Sequence, residues 1–409
     1  MTKKIKMKAV FIIISLLASK YTHAQTFTNY TTADGLIDDF VNCLVVDKDD
    51  NIWFGTQGGL SYYDYSSWKN YSKADYPVMI DNGITAITLD SKNLLWIGTD
   101  FGVNSFDGTN WQTYTKDDGL ASNRIKYIAE SPNGEIWFGN SSGVSILAAD
   151  GSWSIPFGGI SFVSFDNNGI PYLGTALGGV IGLTEPEYTY INEDSELLSN
   201  KVRSIAFDEQ NNMWIGTSDG LSYYSAEGEL IEQHTRIFQI PPPDTLNPVE
   251  DVQIDSKGNI WVGVYVDYLF TVGGVSFYNN NTPWIDYDVN DGLVGPVVRR
   301  LEIDSRDIVW VATSTGITRI GDLTSASSDL ESSSIEVFPN PSNSTFTIRL
   351  DAIQKANDYR LVSADGKVIK EGKINGLTTE IDVRGMTSQI VFLIIDNVFV
   401  KKLSISTSN

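Results

Sequence analysis

General acid–base chemistry most often rests on histidine. Beyond its first 24 residues this sequence of 409 holds one, His234, in Glu232-Gln233-His234-Thr235. That position reads as a solvated or structural histidine on an outer strand. The single cysteine, Cys43, stands in the strand-like run Val41-Asn42-Cys43-Leu44-Val45-Val46 and reads as a small buried hydrophobe. One cysteine forms no intrachain disulfide. Carboxylates are abundant, and paired carboxylates can hydrolyse glycosides. The conspicuous ones, however, stand in turn-like runs, where Asp and Asn are favoured for backbone reasons. The run Asp47-Lys48-Asp49-Asp50-Asn51 hints at a calcium loop, but Ile52 replaces the glycine at position six and Gly58 the acid at position twelve. No catalytic residue, metal or cofactor is therefore expected. Chemistry of another kind is offered by six cations, Arg124, Lys126, Lys201, Arg203, Arg299 and Arg300, out of fifteen in residues 25–322. Arginines grouped in this way can take an anionic group through bidentate contacts. Alternatively they pair with Asp38, Asp39, Glu250 and Asp251.

What would position these groups is a repeat. Asn51-Ile52-Trp53-Phe54-Gly55-Thr56 returns with its aromatic at Trp96, Trp137, Tyr172, Trp214, Trp261 and Trp310, at spacings of 43, 41, 35, 42, 47 and 49 residues. Such a period fits four-stranded propeller blades. In the first copy an apolar run, a polar turn, the Trp-bearing run, a glycine turn, Leu60-Ser61-Tyr62-Tyr63 and Trp68-Lys69-Asn70-Tyr71 read as four successive strands. The last copy stops after its third strand. Phe27-Thr28-Asn29-Tyr30 matches the missing fourth, so the termini are expected to exchange strands and close seven blades. The six cations then fall at the starts of inner strands, on one face. Two excursions of the sixth copy, residues 240–248 and 265–272, open on that face. They bring Tyr265, Tyr268 and Phe270, which stack on a sugar or peptide or pack the insert down. The face should stand high at the sixth blade and low at the short fourth.

Formal charge is −22, and five lysines precede residue 25, leaving −27 without that segment. Nucleic acid is an improbable partner for such a surface. Residues 1–24 join a basic start to a ten-residue apolar run and Thr22-His23-Ala24, the layout of a secretory signal peptide. The apolar run is too short to span a bilayer, and no transmembrane segment is expected in the mature chain.

The pattern of Asp-Gly-Leu at residues 34–36, 118–120 and 291–293, then a strand, Trp-x-Gly-Thr and Gly-Gly-Leu, resembles the two-component-regulator propeller repeat over residues 27–322. In that family the repeats form periplasmic sensor portions of hybrid histidine kinases of Bacteroidetes, many of them sensing glycan fragments. This sequence has one propeller's worth of repeats and no kinase or DNA-binding segment after them, so the resemblance implies binding without signalling by this chain alone. Streptogramin lyases are similar in fold and in the repeated Trp, but their chemistry rests on a histidine and a metal ion, and no residue here matches that histidine.

Residues 323–334 are rich in Ser and read as a linker. Residues 335–409 alternate as strands without the blade motif and carry a net charge of +1. Phe338, Pro339, Asn340 and Pro341, with Gly366 and the basic end at Lys401 and Lys402, resemble the type A sorting domain of the Bacteroidetes type IX secretion system. The family's aromatic after Gly385-Met386 is replaced by Thr387-Ser388. The resemblance implies passage through the periplasm and outer membrane, followed by release or anchoring at the cell surface. The expected architecture is all-β: a seven-bladed β-propeller over residues 25–322 followed by a small β-sandwich sorting domain. The expected function is non-catalytic binding of a glycan or protein. Alternatives are a secreted polysaccharide lyase or hydrolase, and a structural component of the cell surface.

Overall fold

β-Branched and aromatic residues fill the repeated runs, and in the computed structural model these runs are strands. The structure describes residues 25–140, 142–238, 247–267, 271–279, 283–321, 335–338, 342–350, 357–363, 368–374, 378–387, 389–395 and 399–405. The first repeat lays Val41–Val46, Ile52–Thr56, Leu60–Tyr63 and Trp68–Tyr71 side by side as an antiparallel meander. The same meander recurs with inner strands Ile84–Leu89, Tyr127–Glu130, Ile160–Phe165, Val202–Phe207, Val249–Ile254 and Val298–Ile303. Each is a separate four-stranded sheet, except that the third and fourth share one pairing, Asn140 with Ile160, and merge into eight strands. Phe27–Tyr30 pairs with Gly316–Ile320, placing Phe27 opposite Ile320 and Tyr30 opposite Ile317, so the first strand of the chain completes the last sheet. The fold is an all-β propeller.

The Trp-x-Gly-Thr motif has a packing reason. A Cβ on Gly55 would lie 2.5 Å from Ile84 Cγ2, one on Gly98 2.7 Å from Ile125 Cγ2, and one on Gly216 2.6 Å from Val249 Cγ1. Each glycine is thus the seat for a side chain that opens the next repeat's inner strand or, for Ile125, comes just before it. The aromatic fills the gap beside it. Trp96 meets Phe138 of the next repeat at 5.6 Å, and Trp310 meets Phe54 across the closure at 6.0 Å. The threonine closes the following hairpin: Thr56 Oγ1 accepts from the Gly58 and Gly59 N–H groups.

The turns after the inner strands explain much of the acidity. Asp47 accepts from the N–H groups of Asp49 and Asn51, both at 2.9 Å. Asp90, Asp166, Asp208, Asp255 and Asp304 repeat this bond to the residues two and four positions on. Asp47 is therefore engaged as a turn acceptor. Neighbouring turns also grip one another: Asp50 accepts from Ser305 and Asp307 from Ser256, through both N–H and hydroxyl.

The excursion at residues 265–272 differs from the expected loop. It extends the two middle strands of the sixth repeat, now Ile260–Asp267 and Thr271–Tyr278, with Tyr265 opposite Gly273. Alternating Val264-Tyr265-Val266 prolongs the ladder in place of opening it. Most of the other excursion lies outside the described residues.

The last part forms two sheets. One holds Ile335–Phe338, Thr345–Leu350 and Thr378–Asp382. The other holds Asn357–Ser363, Val368–Ile374, Gln389–Ile395 and Phe399–Ile405. Between them lie Phe346, Ile348, Leu361, Ile381, Val391 and Leu403, all buried. This is a small β-sandwich. No helix among the described residues is long and apolar enough to cross a membrane.

Candidate binding site

The inner strands line the central channel, and a bulge sets which side chains reach it. In those beginning at Val41, Ile84, Ile160, Val202, Val249 and Val298 the pairing skips the second residue. Strict alternation fails there, so second and third residues both turn toward the channel. The second residues Asn42, Thr85, Arg203, Glu250 and Arg299, with Lys201 and with Lys126 just ahead of Tyr127–Glu130, line a recess of about 500 Å³ at the channel mouth. Third residues Phe162, Asp251 and Arg300, with Tyr127 at the start of its own strand, line a deeper cavity of about 400 Å³, together with Ser164, Gln253 and Glu302. Thr85 and Arg300 belong to both, so recess and channel are continuous.

The six expected cations divide. Arg203 is ion-paired with Glu250. Arg300 reaches Asp251 at 3.4 Å and lies over the rings of Tyr127 and Phe162, at 5.3 and 5.7 Å. Asp251 also accepts from the Leu301 N–H at 2.9 Å. Arg124 turns outward to Asp100 at 2.9 Å and is 64% exposed. It does not line the recess. Lys126 and Lys201 have no carboxylate partner among the described residues, and Arg299 rests over the ring of Phe40 at 5.0 Å. Of the carboxylates considered as alternative partners, Glu250 and Asp251 are so engaged. Asp38 accepts from the Phe40 N–H and Asp39 from the Thr32 N–H. Tyr265 is half-buried on its extended strand, while Tyr268 and Phe270 lie outside the described residues.

Deeper in the channel, burial pushes the Glu302 carboxyl up to about 8, with the nearby Asp251 adding to the effect and Arg300 opposing it. Burial likewise raises the Tyr127 phenol and the Cys43 thiol, each to about 12, so neither is a ready nucleophile near neutral pH. His234 is not solvated. It stacks on Trp214, accepts a bond from the Trp284 indole at 3.3 Å, and is held below the ordinary histidine value by burial. Glu302, Tyr127, Phe162, Asn42 and Thr85 are channel residues that motif reading missed. Counting two, three and five positions into each bulged strand would have found all of them but Tyr127, which opens the unbulged strand Tyr127–Glu130.

In the sorting segment, Phe338 is partly exposed at the end of Ile335–Phe338, with Arg349 over its ring at 5.0 Å. Pro339, Asn340, Pro341 and Gly366 lie outside the described residues, and Lys401 and Lys402 fall in the final strand Phe399–Ile405.

Comparison with known proteins bears on both parts. Residues 35–58, 79–101, 119–142 and 196–219 match the two component regulator propeller family, and residues 336–405 match the secretion system C-terminal sorting domain. The chain carries regulator-propeller repeats and a type IX sorting tail. It is a secreted or cell-surface protein, handled by the secretion machinery through that tail. Among solved structures it is similar to PorZ of Porphyromonas gingivalis, described as an essential bacterial surface component of the type-IX secretion system. There identity is 14% and TM-score 0.58, over 90% of this chain and 60% of that one. The chain thus spans about three fifths of the length of PorZ. It is also similar to a catalytically inactive virginiamycin B lyase from Staphylococcus aureus with quinupristin, at 14% identity and TM-score 0.57, over 73% of this chain and 100% of that one. A third, YCF48 bound to D1 peptide, has 12% identity and TM-score 0.55, over 74% and 97%. At such identities the likeness is one of fold. No curated protein matches the sequence.

Proposed function

We propose that this surface protein binds the anionic group of a glycan or protein at the recess and does no chemistry on it. In this reading residues 1–24 are a signal peptide, residues 25–322 a seven-bladed propeller with the eight-stranded sheet counted as two blades, residues 323–334 a linker and residues 335–409 the sorting domain. The observation that carries the reading is Lys126, Lys201 and Arg299, three cations with no ion pair among the described residues, at one channel mouth of a strongly acidic chain. Unpaired cations around a recess suit a carboxylate or sulfate, and the surrounding negative charge repels anions elsewhere. The absence of chemistry is supported by the packed His234 and the raised Cys43 thiol.

A thermal-shift titration of residues 25–409 tests this, with polygalacturonate, a sulfated glycan and neutral dextran as probes. The anionic polymers should raise the melting temperature with the logarithm of their concentration, and dextran should not. Lys126→Ala/Lys201→Ala/Arg299→Ala should abolish the rise. Arg300 is left in place because its removal strands the buried Asp251. No response to any anion would overturn the proposal. A second reading, cleavage of a polysaccharide, is favoured by the convergence of Asp251, Glu302, Tyr127 and Arg300 in the channel. Shortening of polygalacturonate that Glu302→Gln prevents would establish it.

A further inference from the structure

The hairpins after the Trp-bearing strands border the recess. Their tips lie beside the inner-strand starts: the Gln57 N–H bonds to the Phe40 carbonyl, and the Ser218 N–H to that of Lys201. In five of these hairpins a buried Thr or Asn closes the turn in the same way. The residue two positions on donates its backbone N–H to that side chain, as Gly58, Phe101, Ser142, Asp219 and Thr315 do. The fold therefore asks this position for an N–H and not for a particular side chain, and glycine, serine, aspartate and threonine all serve.

Two hairpins carry an exposed apolar side chain at the tip. The second places Phe101 at the donating position, 61% exposed, and the fourth, one residue longer, lets Gly178 donate to Thr175 and leaves Leu177 before it 87% exposed. Ala176, next to Leu177, lines the recess. The hairpin of Phe101 opens on the same side, where the carbonyl of its Thr99 accepts from the Ile125 N–H, beside the recess-lining Lys126. Neither side chain is required for its hairpin to fold, so both are open to a partner seated on this face.

We propose that the occupant of this face is an acidic polypeptide segment whose carboxylates enter the recess while apolar side chains beside them cover Phe101 and Leu177. This rests on the binding role proposed above and names its ligand class. Charge complementarity sets the acidic part: Lys126, Lys201 and Arg299 face a partner within a chain that is otherwise negative. The tips set the apolar part. An aliphatic Leu177 gives a sugar ring no planar platform, but it buries against another aliphatic side chain.

The experiment uses residues 25–409 and three fluorescent probes of equal charge: a peptide alternating Glu with Leu or Phe, a peptide alternating Glu with Ser, and an oligogalacturonate. The Glu/Leu/Phe peptide should bind about tenfold more tightly than the other two. Phe101→Ser/Leu177→Ser should erase that advantage while leaving the melting temperature and Glu/Ser binding unchanged. The Lys126→Ala/Lys201→Ala/Arg299→Ala variant should lose all three probes. Equal binding of the two peptides, tighter binding of the oligogalacturonate, or an advantage that survives the double substitution would overturn this inference and leave the anion-binding role standing. Failure of every probe to bind would overturn both.

Discussion

At one end of the channel Asp47, Asp90, Asp166, Asp208, Asp255 and Asp304 each spend a carboxylate on two backbone N–H groups of their own turn. At the other end Lys126, Lys201 and Arg299 surround a recess and, among the described residues, spend their charge on no carboxylate. The acidic end is more heavily charged, yet its charge is structural. The basic end carries fewer charges and offers them to solvent. Net charge alone therefore says little about where a ligand goes, and the partner of each charge decides it.

The contrast can be broken most forcefully at the acidic end. Asp208→Ala removes the acceptor for Gln210 and Asn212 N–H and for the Tyr223 hydroxyl. It should cost about 2–3 kcal/mol in a urea titration and leave anion affinity as it was. An unchanged midpoint would mean that the ring of turns is not held by its carboxylates. A smaller effect is expected midway along the channel. Glu302 titrates at about 8 in the fold against an ordinary value of 4.5, so the folded chain holds that proton more tightly. Its contribution is complete below about pH 4.5 and is lost as pH rises through 8. Over that window the melting temperature should fall, and Glu302→Gln should flatten the slope. A slope that the substitution does not alter would sink the assignment. Least of all should stability change at the basic end. Lys126→Ala, Lys201→Ala and Arg299→Ala should each stay within about 0.5 kcal/mol of the parent in the same urea titration. A larger loss at any of them would show that it too is structural and erase the difference between the ends.

The propeller was legible because the Trp-x-Gly-Thr motif encodes local packing, with glycine as the seat of the next repeat and threonine as the hairpin cap. The sorting tail was legible from Phe338 and the residues after it, and residues 336–405 match that family. The site was legible only in part. The inner-strand cations were found, but Arg124 was grouped with Lys126 although its side chain turns away to Asp100. Glu302 went unnoticed because nothing local distinguishes it from a strand-end acid. The insert at Tyr265 was read as a loop because its length showed and its ladder did not.

By itself, then, the sequence determined the repeat, the closing strand and the export tail, because each is written in short-range patterns of packing and turn chemistry. Which cations meet no carboxylate among the described residues, which carboxyl keeps its proton, and that the hairpins of Phe101 and Leu177 open on the side of Lys126 were decided by the tertiary structure. Those facts depend on strands from different repeats meeting around one channel. Bulges that turn second and third residues toward it alike set the arrangement, and no single repeat contains it.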